Sequence, residues 1–189
     1  MGACNNRDKG VGIERFKYKF LYNSIKMYKL LFDSDALIKA AKAEFLEPVA
    51  NTFEVCITDD VYRETVEQGR TGLYKDADKI KNLIDAKKIS VIRSREYIRK
   101  AKPKKSFGRG EISIFQAYKK GYLIVADDLS FVVYLNDESI KNVSSAYLLV
   151  MLLKKHRIGK EKACYYLDRL KPLIRKDIYE LVKSDIKGE

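Results

Sequence analysis

The sequence alternates short apolar segments with longer segments whose apolar residues recur at helical spacing. Four segments have the length and composition of buried strands: 30–32, 53–57, 89–92 and 122–126. Helices are predicted over 35–45, 58–69, 75–86, 111–120, 145–156, 160–170 and 174–186. Short strands separated by helices form βαβ units, which build a parallel sheet with helices on both faces. The chain is therefore predicted to adopt an α/β fold.

The chain is predicted to have three regions. Residues 1–26 carry six basic and two acidic groups and are interpreted as a basic N-terminal arm outside the main core. Residues 27–153 contain the alternating strands and helices and form the main domain. Residues 154–189 are predicted to be a C-terminal helical extension packed on that domain.

Charge and rare residues exclude several classes of protein. Lys and Arg number 38 against 26 Asp and Glu, and the net charge of +12 favours a polyanionic partner. The single histidine, His156, excludes HExxH metalloproteases and three-His zinc sites. Cys4, Cys56 and Cys164 have no metal-ligand spacing and fit a reducing compartment. The longest apolar run, 146–153, is far short of the ~20 residues that span a bilayer, so we expect a cytoplasmic protein without a membrane partner.

Acidic residues are concentrated where predicted strands end and helices begin. They are Asp33 and Asp35 after the first strand, Asp59, Asp60 and Glu64 after the second, Glu111 at the start of a later helix, and Asp127 and Asp128 after the last strand. Each one alone has an ordinary explanation, because Asp caps helices and Glu in a first turn interacts favourably with the helix dipole. Their repeated position is what points to a shared site.

A shared site would require a cation. In parallel α/β sheets, sites form beyond the carboxyl ends of the strands, where these acids are expected to meet. Two carboxylates at ~4 Å repel by about 4 kcal/mol at an effective dielectric constant near 20. Since the cluster has only oxygen ligands, it favours Mg²⁺ or Mn²⁺ over zinc or copper. Such an ion supports hydrolysis of phosphodiesters.

A basic segment immediately precedes Glu111. Its six basic residues are Arg99, Lys100, Lys102, Lys104, Lys105 and Arg109. Charge runs are usually solvated loops, but a cationic loop beside a carboxylate site suits a phosphodiester backbone. We therefore interpret this segment as nucleic-acid-binding.

Four segments together resemble the PIN-domain family. They are LLFDSDALIK at 30–39, ITDDVYRETV at 57–66, GRGEISI at 108–114 and LIVADDLSF at 123–131. The resemblance covers roughly 27–153 and implies a three-layer α/β/α sandwich with a central, mainly parallel sheet of four or five strands. It further implies a metal-dependent ribonuclease acting on single-stranded RNA, often the toxin of a VapC-type toxin–antitoxin pair.

The resemblance also implies roles for individual residues. The catalytic, metal-binding acids match Asp33, Glu64, Glu111 and Asp128, with Asp127 as a further metal ligand and Ser34 and Asp35 in supporting positions. The third acid is Glu rather than the commoner Asp, and Ala126 lies near a site often occupied by Thr or Ser. The GxGE and DD pattern is more similar to a VapC-like prokaryotic subgroup whose activity is not generally established. The implied cofactor is Mg²⁺ or Mn²⁺, and the implied partners are RNA, a protein antitoxin and a second copy of the chain.

Two alternatives remain open. One is a PIN-fold protein that binds RNA or a partner protein with weak or no catalysis. The other is a phosphatase similar to haloacid dehalogenases, since Asp33-Ser34-Asp35 after a strand resembles their DxD motif, in which the first Asp is a covalent nucleophile. Against the phosphatase, Glu64 and Glu111 would have no role.

Overall fold

A computed structural model describes residues 28–93 and 107–188, and its strands form one five-stranded sheet. The strands are β1 (Lys29–Phe32), β2 (Val55–Thr58), β3 (Ile89–Ile92), β4 (Tyr122–Val125) and β5 (Asn142–Val143). Every pairing is parallel and the strand order is β3-β2-β1-β4-β5. The predicted α/β/α architecture with a central parallel sheet is therefore confirmed. The predicted arm 1–26 lies outside the described residues.

Helices connect the strands and follow the last one. They are α1 (Ser34–Lys42), α2 (Leu46–Thr52), α3 (Asp59–Tyr62), α4 (Gln68–Thr71), α5 (Lys75–Asp85), α6 (Arg109–Ala117), α7 (Leu129–Asp137), α8 (Tyr147–Lys154), α9 (Lys160–Leu170) and α10 (Lys176–Lys187). A π-helical turn, Arg63–Glu67, joins α3 to α4. None of the helices in the described residues has the length and apolarity needed to cross a membrane.

The core is built on both faces of the central strands. All four residues of β2 and of β4 are buried, which explains why these strands read as continuous apolar runs. Helix α8 is buried from Tyr147 to Leu152 and packs against α9 and α10 of the same chain. The apolar run at 146–153 is therefore used in the core of one chain, and the C-terminal helices cover it.

Three elements were not predicted from the sequence: α2, α7 and β5. Helix α7 contains Phe131, Val132, Val133 and Tyr134, which favour strands by intrinsic propensity. The segment is nevertheless helical, and the side chain of Asp128 caps its first turn. Helix α6 ends at Ala117 rather than at the predicted residue 120, because Tyr118 has an extended backbone conformation.

The strand order places a topological switch point between β1 and β4. The chain proceeds from β1 to β2 on one side of the sheet and from β4 to β5 on the other. A crevice forms outside the carboxyl ends of the strands at such a point, and ligands bind there. Asp33 directly follows β1, and Ala126, Asp127 and Asp128 directly follow β4. The fold thus brings the first and last predicted acids to one crevice.

Candidate active site

Asp33 is fixed by backbone hydrogen bonds at the end of β1. Its N–H donates to the carbonyl of Val125 in β4 at 2.9 Å, and its carbonyl accepts from the N–H of Leu37 in α1 at the same distance. The residue is only 5% exposed. The side chain therefore reaches the crevice from a rigid position and is shielded from solvent.

The environment of Asp33 disfavours its ionised form. Burial, followed by the negative charges of Glu111, Asp35 and Asp127, raises the pKa of Asp33 to about 8, and a hydrogen bond from the backbone N–H of Ser34 opposes this shift. Desolvation and neighbouring like charges are the two ordinary causes of a raised carboxyl pKa. Without a cation, this carboxyl group carries a proton at neutral pH.

Glu64 connects the segments that follow β1 and β2 with the start of α6. It lies in the π-helical turn Arg63–Glu67, a type of turn that is frequent at functional sites. Ser34 Oγ donates to Glu64 Oε2 at 2.5 Å, and the N–H of Gly110 donates to Glu64 Oε1 at 3.1 Å. Both carboxylate oxygens are thus held by groups from distant parts of the sequence.

The close approach of α6 to Glu64 favours a glycine at position 110. A Cβ atom there would lie 2.6 Å from Glu64 Oε2, so the carboxylate end of the Glu64 side chain would have to shift. A buried relay supports the same turn of α6: Ser113 Oγ donates to the Gly110 carbonyl at 2.7 Å, and Thr58 Oγ1 lies 2.6 Å from Ser113 Oγ. The end of β2 is thereby linked to the first turn of α6.

Glu111 is the acid that interacts electrostatically with three of the other predicted acids. Burial raises its pKa, the charges of Asp128 and Glu64 raise it further, and a hydrogen bond from the Gly108 N–H opposes the shift. That hydrogen bond to Glu111 Oε2 measures 2.7 Å and caps α6. The charge of Glu111 in turn raises the pKa of Asp33. The structure therefore brings Asp33, Glu64, Glu111 and Asp128 into one electrostatic group.

The two acids after β4 have different surroundings. Asp128 is exposed, and its Oδ1 accepts from the Phe131 N–H at 2.8 Å, which caps α7. The Asp127 side chain is only 6% exposed and accepts from the N–H and the hydroxyl of Ser145, at 2.9 and 2.5 Å. Burial raises the pKa of Asp127, while the Ser145 hydrogen bonds and the Lys39 charge lower it. Asp127 is thus held toward the segment after β5.

Two residues at the site were missed by sequence reasoning. Lys39 Nζ lies 2.5 Å from Asp35 Oδ2 and 3.7 Å from Asp127 Oδ2, so one cation contacts acids from both sides of the switch point. Its spacing of four residues from Asp35 is a signal that could have been used. Ser145 is 18 residues from Asp127 along the chain, and no local pattern links the two.

Most of the predicted RNA-binding residues lie outside the described residues. These are Arg99, Lys100, Lys102, Lys104 and Lys105. Arg109 is described; it is exposed and is the first residue of α6, two residues before Glu111. One of the six predicted cations is thus located beside the acidic group.

The donor groups fit a hard divalent cation that keeps part of its water shell. Within 28–93 and 107–188, no three His, Cys, Asp or Glu side chains are grouped closely enough to hold a metal ion. A closed cage is therefore not preformed in this part of the chain. The donors are oxygen atoms, and the buried Asp33 carboxylate is ionised more readily when a cation is near. Mg²⁺ is usually bound through one or two carboxylates together with waters, which this arrangement can provide.

Comparisons with known proteins agree with the fold. A family model described as a PIN domain matches residues 29–180, which is most of the chain. PIN domains are generally nucleases, and they usually use divalent metal ions. A search of the curated proteins found no match, and a search of the solved structures found none. The family match and the parallel five-stranded sheet lead to one conclusion: the chain belongs to the PIN-domain family.

Proposed function

We propose that this protein is a divalent-metal-dependent endoribonuclease that hydrolyses phosphodiester bonds of single-stranded RNA, leaving 5′-phosphate and 3′-hydroxyl ends. The observation that carries the proposal is the buried Asp33 carboxylate at the switch point, whose pKa is raised by burial and by Glu111. A buried acid surrounded by acids is costly to ionise unless a cation binds there. PIN-domain membership favours a nuclease over the phosphatase alternative.

The acidic group can be given roles from its contacts. Asp33 and Asp128 would hold Mg²⁺ or Mn²⁺ directly, with Asp127 close by and with Glu64 and Glu111 completing the shell or orienting its water. When bound, such an ion activates water and neutralises charge that develops on the phosphate. Glu64 is already oriented by Ser34 and Gly110.

Glu111 is suited to move a proton. Its Oε2 accepts from the Gly108 N–H, which leaves the acceptor capacity of Oε1 for other partners. A carboxylate with a raised pKa is a better general base than an ordinary one. We assign Glu111 the role of orienting the attacking water and accepting its proton. Arg109 and the basic segment before it would hold the RNA backbone.

The family resemblance supplies finer predictions. They are a toxin role with a protein antitoxin, a homodimer and a cytoplasmic location. The positive net charge supports RNA as the substrate, because a cationic surface attracts any polyphosphate chain.

The test is a cleavage assay with purified protein and end-labelled single-stranded RNA. We expect cleavage with Mn²⁺ or Mg²⁺, none with a chelator, and a loss of about 10²-fold or more in Asp33→Asn. Asp137→Asn is the matched control, because Asp137 is an exposed acid at the far end of α7. Its activity should equal that of the wild type.

One observation favours a second candidate, an RNA-binding PIN domain without turnover. It is the lack of a preformed group of three metal-ligating side chains in the described residues. Equal trace cleavage by the wild type and Asp33→Asn would indicate contamination and would favour this candidate. Tight RNA binding by both proteins would then define the function.

A further inference from the structure

A cavity of about 320 Å³ opens next to the acidic group. Its lining includes Ala126 and Asp127 after β4, Asn142 in β5 and Ser144 after it. It therefore continues along the same carboxyl edge of the sheet that carries Asp33. Its volume lies at the lower end of the range for small-ligand sites, about 300–1,000 Å³. We call it the Asp127 pocket.

The sides of the Asp127 pocket are mostly aliphatic. Helix α7 contributes Leu129 and Val132, the segment that leads into α10 contributes Leu173 and Ile174, and α10 itself contributes Ile178. Apolar side chains of this kind pack against the faces of a flat ring, as they do around nucleobases in protein pockets. The apolar walls suit a planar heterocycle.

The polar lining of the pocket combines a buried acceptor, Asp127, with two cationic donors, Lys39 and Arg175, and with the side chains of Asn142 and Ser144. The Arg175 guanidinium is ion-paired with Asp177. Asp127 is buried, and its oxygens have acceptor capacity beyond the two hydrogen bonds from Ser145. Lys39 Nζ is a donor 3.7 Å from Asp127 Oδ2. Ser144 Oγ accepts from the Tyr147 N–H at 3.4 Å, a role that leaves its own proton for another acceptor.

A buried carboxylate acceptor beside hydrogen-bond donors matches the edge of a nucleobase that carries an amino group. Cytosine and adenine carry an exocyclic amino group, a donor, next to a ring nitrogen, an acceptor. A carboxylate accepts from the amino group of cytosine, whereas uracil presents a carbonyl oxygen at the same position. Asp127 would therefore repel the uracil edge and bind the cytosine edge, with Lys39 or Ser144 donating to the ring nitrogen.

We propose that the Asp127 pocket binds an amino-bearing nucleobase, cytosine or adenine, of the RNA strand next to the bond that is cleaved. The proposal rests on the proposed ribonuclease function for the identity of the ligand. It deepens that function, because it gives the enzyme a base preference. The pocket and the acidic group share Asp127, whose charge also acts on Asp33. A base held there keeps its strand at the acidic group.

The first experiment measures binding of free nucleotides by calorimetry. CMP and UMP have the same ribose and phosphate, so the attraction of the phosphate to the basic protein surface contributes equally to both affinities. We expect CMP to bind about fivefold tighter than UMP, or better, since a good base contact discriminates by that factor or more. Equal affinities, or no binding of either nucleotide, would overturn the proposal.

A pair of tryptophan variants locates the binding. Leu129→Trp should fill the pocket and abolish the preference for CMP; Leu129 is 52% exposed, so the larger side chain does not disturb the core. Val133→Trp is the control, because Val133 is 42% exposed on the same helix but does not line the pocket. If Leu129→Trp keeps the full preference, the base is bound elsewhere and the assignment is wrong.

The second experiment uses the full chain and RNA oligomers with a single cytosine in a uridine strand. We expect cleavage beside the cytosine to exceed cleavage elsewhere by about fivefold or more in the wild type and Val133→Trp, and not in Leu129→Trp. If RNA is cleaved without base preference and CMP does not bind, the proposal for the Asp127 pocket is overturned while the ribonuclease proposal stands. A preference for CMP without any cleavage of RNA would overturn the ribonuclease proposal and leave the pocket as a nucleotide site. If the protein binds CMP more tightly than UMP but cleaves RNA equally at every base, the pocket does not hold a base of the cleaved strand, and that part of the proposal is wrong.

Discussion

The N–H of Gly110 donates to Glu64 Oε1 at 3.1 Å, and a Cβ atom at position 110 would lie 2.6 Å from Glu64 Oε2. The start of α6 and the π-helical turn after β2 are therefore in contact through a single carboxylate. Ser34 Oγ binds the same carboxylate from the end of β1. Three segments that are distant in sequence thus position one acid.

The contact predicts the effect of Gly110→Ala. The added methyl group should displace the Glu64 carboxylate, and a shift of about 1 Å in a catalytic group can reduce turnover by about 10²-fold. The measurement is RNA cleavage with Mn²⁺, together with thermal unfolding to show that the variant is folded. Gly159→Ala is the matched control, because a Cβ atom at position 159 would meet nothing within 4 Å. Full activity in Gly110→Ala would show that the position of Glu64 does not matter for cleavage.

The raised pKa of Asp33 predicts how stability depends on pH. The folded protein holds this proton up to about pH 8, whereas the unfolded chain releases it near the ordinary value of 3.8. The native state therefore binds more protons between these limits, and the contribution of Asp33 to the free energy of unfolding falls as pH rises through them. In metal-free buffer, Asp33→Asn should unfold like the wild type near pH 4 and be more stable than the wild type at pH 8, by an amount that grows with pH between these values. Denaturant unfolding at both pH values measures this, and a constant difference would contradict the shift.

The hydrogen bonds between Ser145 and Asp127 predict a loss of stability in Ser145→Ala. The variant removes the hydroxyl donor to a buried carboxylate, which should lower the free energy of unfolding by about 1–3 kcal/mol. Ser130→Ala, at an exposed serine of α7, should change it by less than about 0.5 kcal/mol. If both variants were equally stable, the Asp127 side chain would have to find other partners.

The burial of α8 predicts that the C-terminal helices and the sheet unfold together. Leu170 in α9 is fully buried, and Leu170→Ala should cost about 2–5 kcal/mol in one cooperative transition. Leu73→Ala serves as control, since Leu73 is 90% exposed. Two separate transitions in Leu170→Ala would mean that residues 154–189 form an independent unit.

The strands and the positions of the acids could be predicted because their signals are local. Buried parallel strands are continuous apolar runs, and the residues that follow them meet at one edge of the sheet. The contact between Asp127 and Ser145 could not be predicted, because it depends on how β5 is placed beside β4. Helix α7 was missed because its own residues favour a strand and only its cap and its packing make it helical.

The π-helical turn was also beyond sequence reasoning, and it has a consequence for how the site could be switched off. A π turn contains one residue more than the regular helix needs. Deleting Thr65 or Val66 would restore the ordinary helical repeat and change the local backbone that carries Glu64. The geometry of the proposed site thus depends on helix length as well as on the identity of its acids, and a one-codon deletion at position 65 or 66 would disrupt it with every carboxylate still encoded.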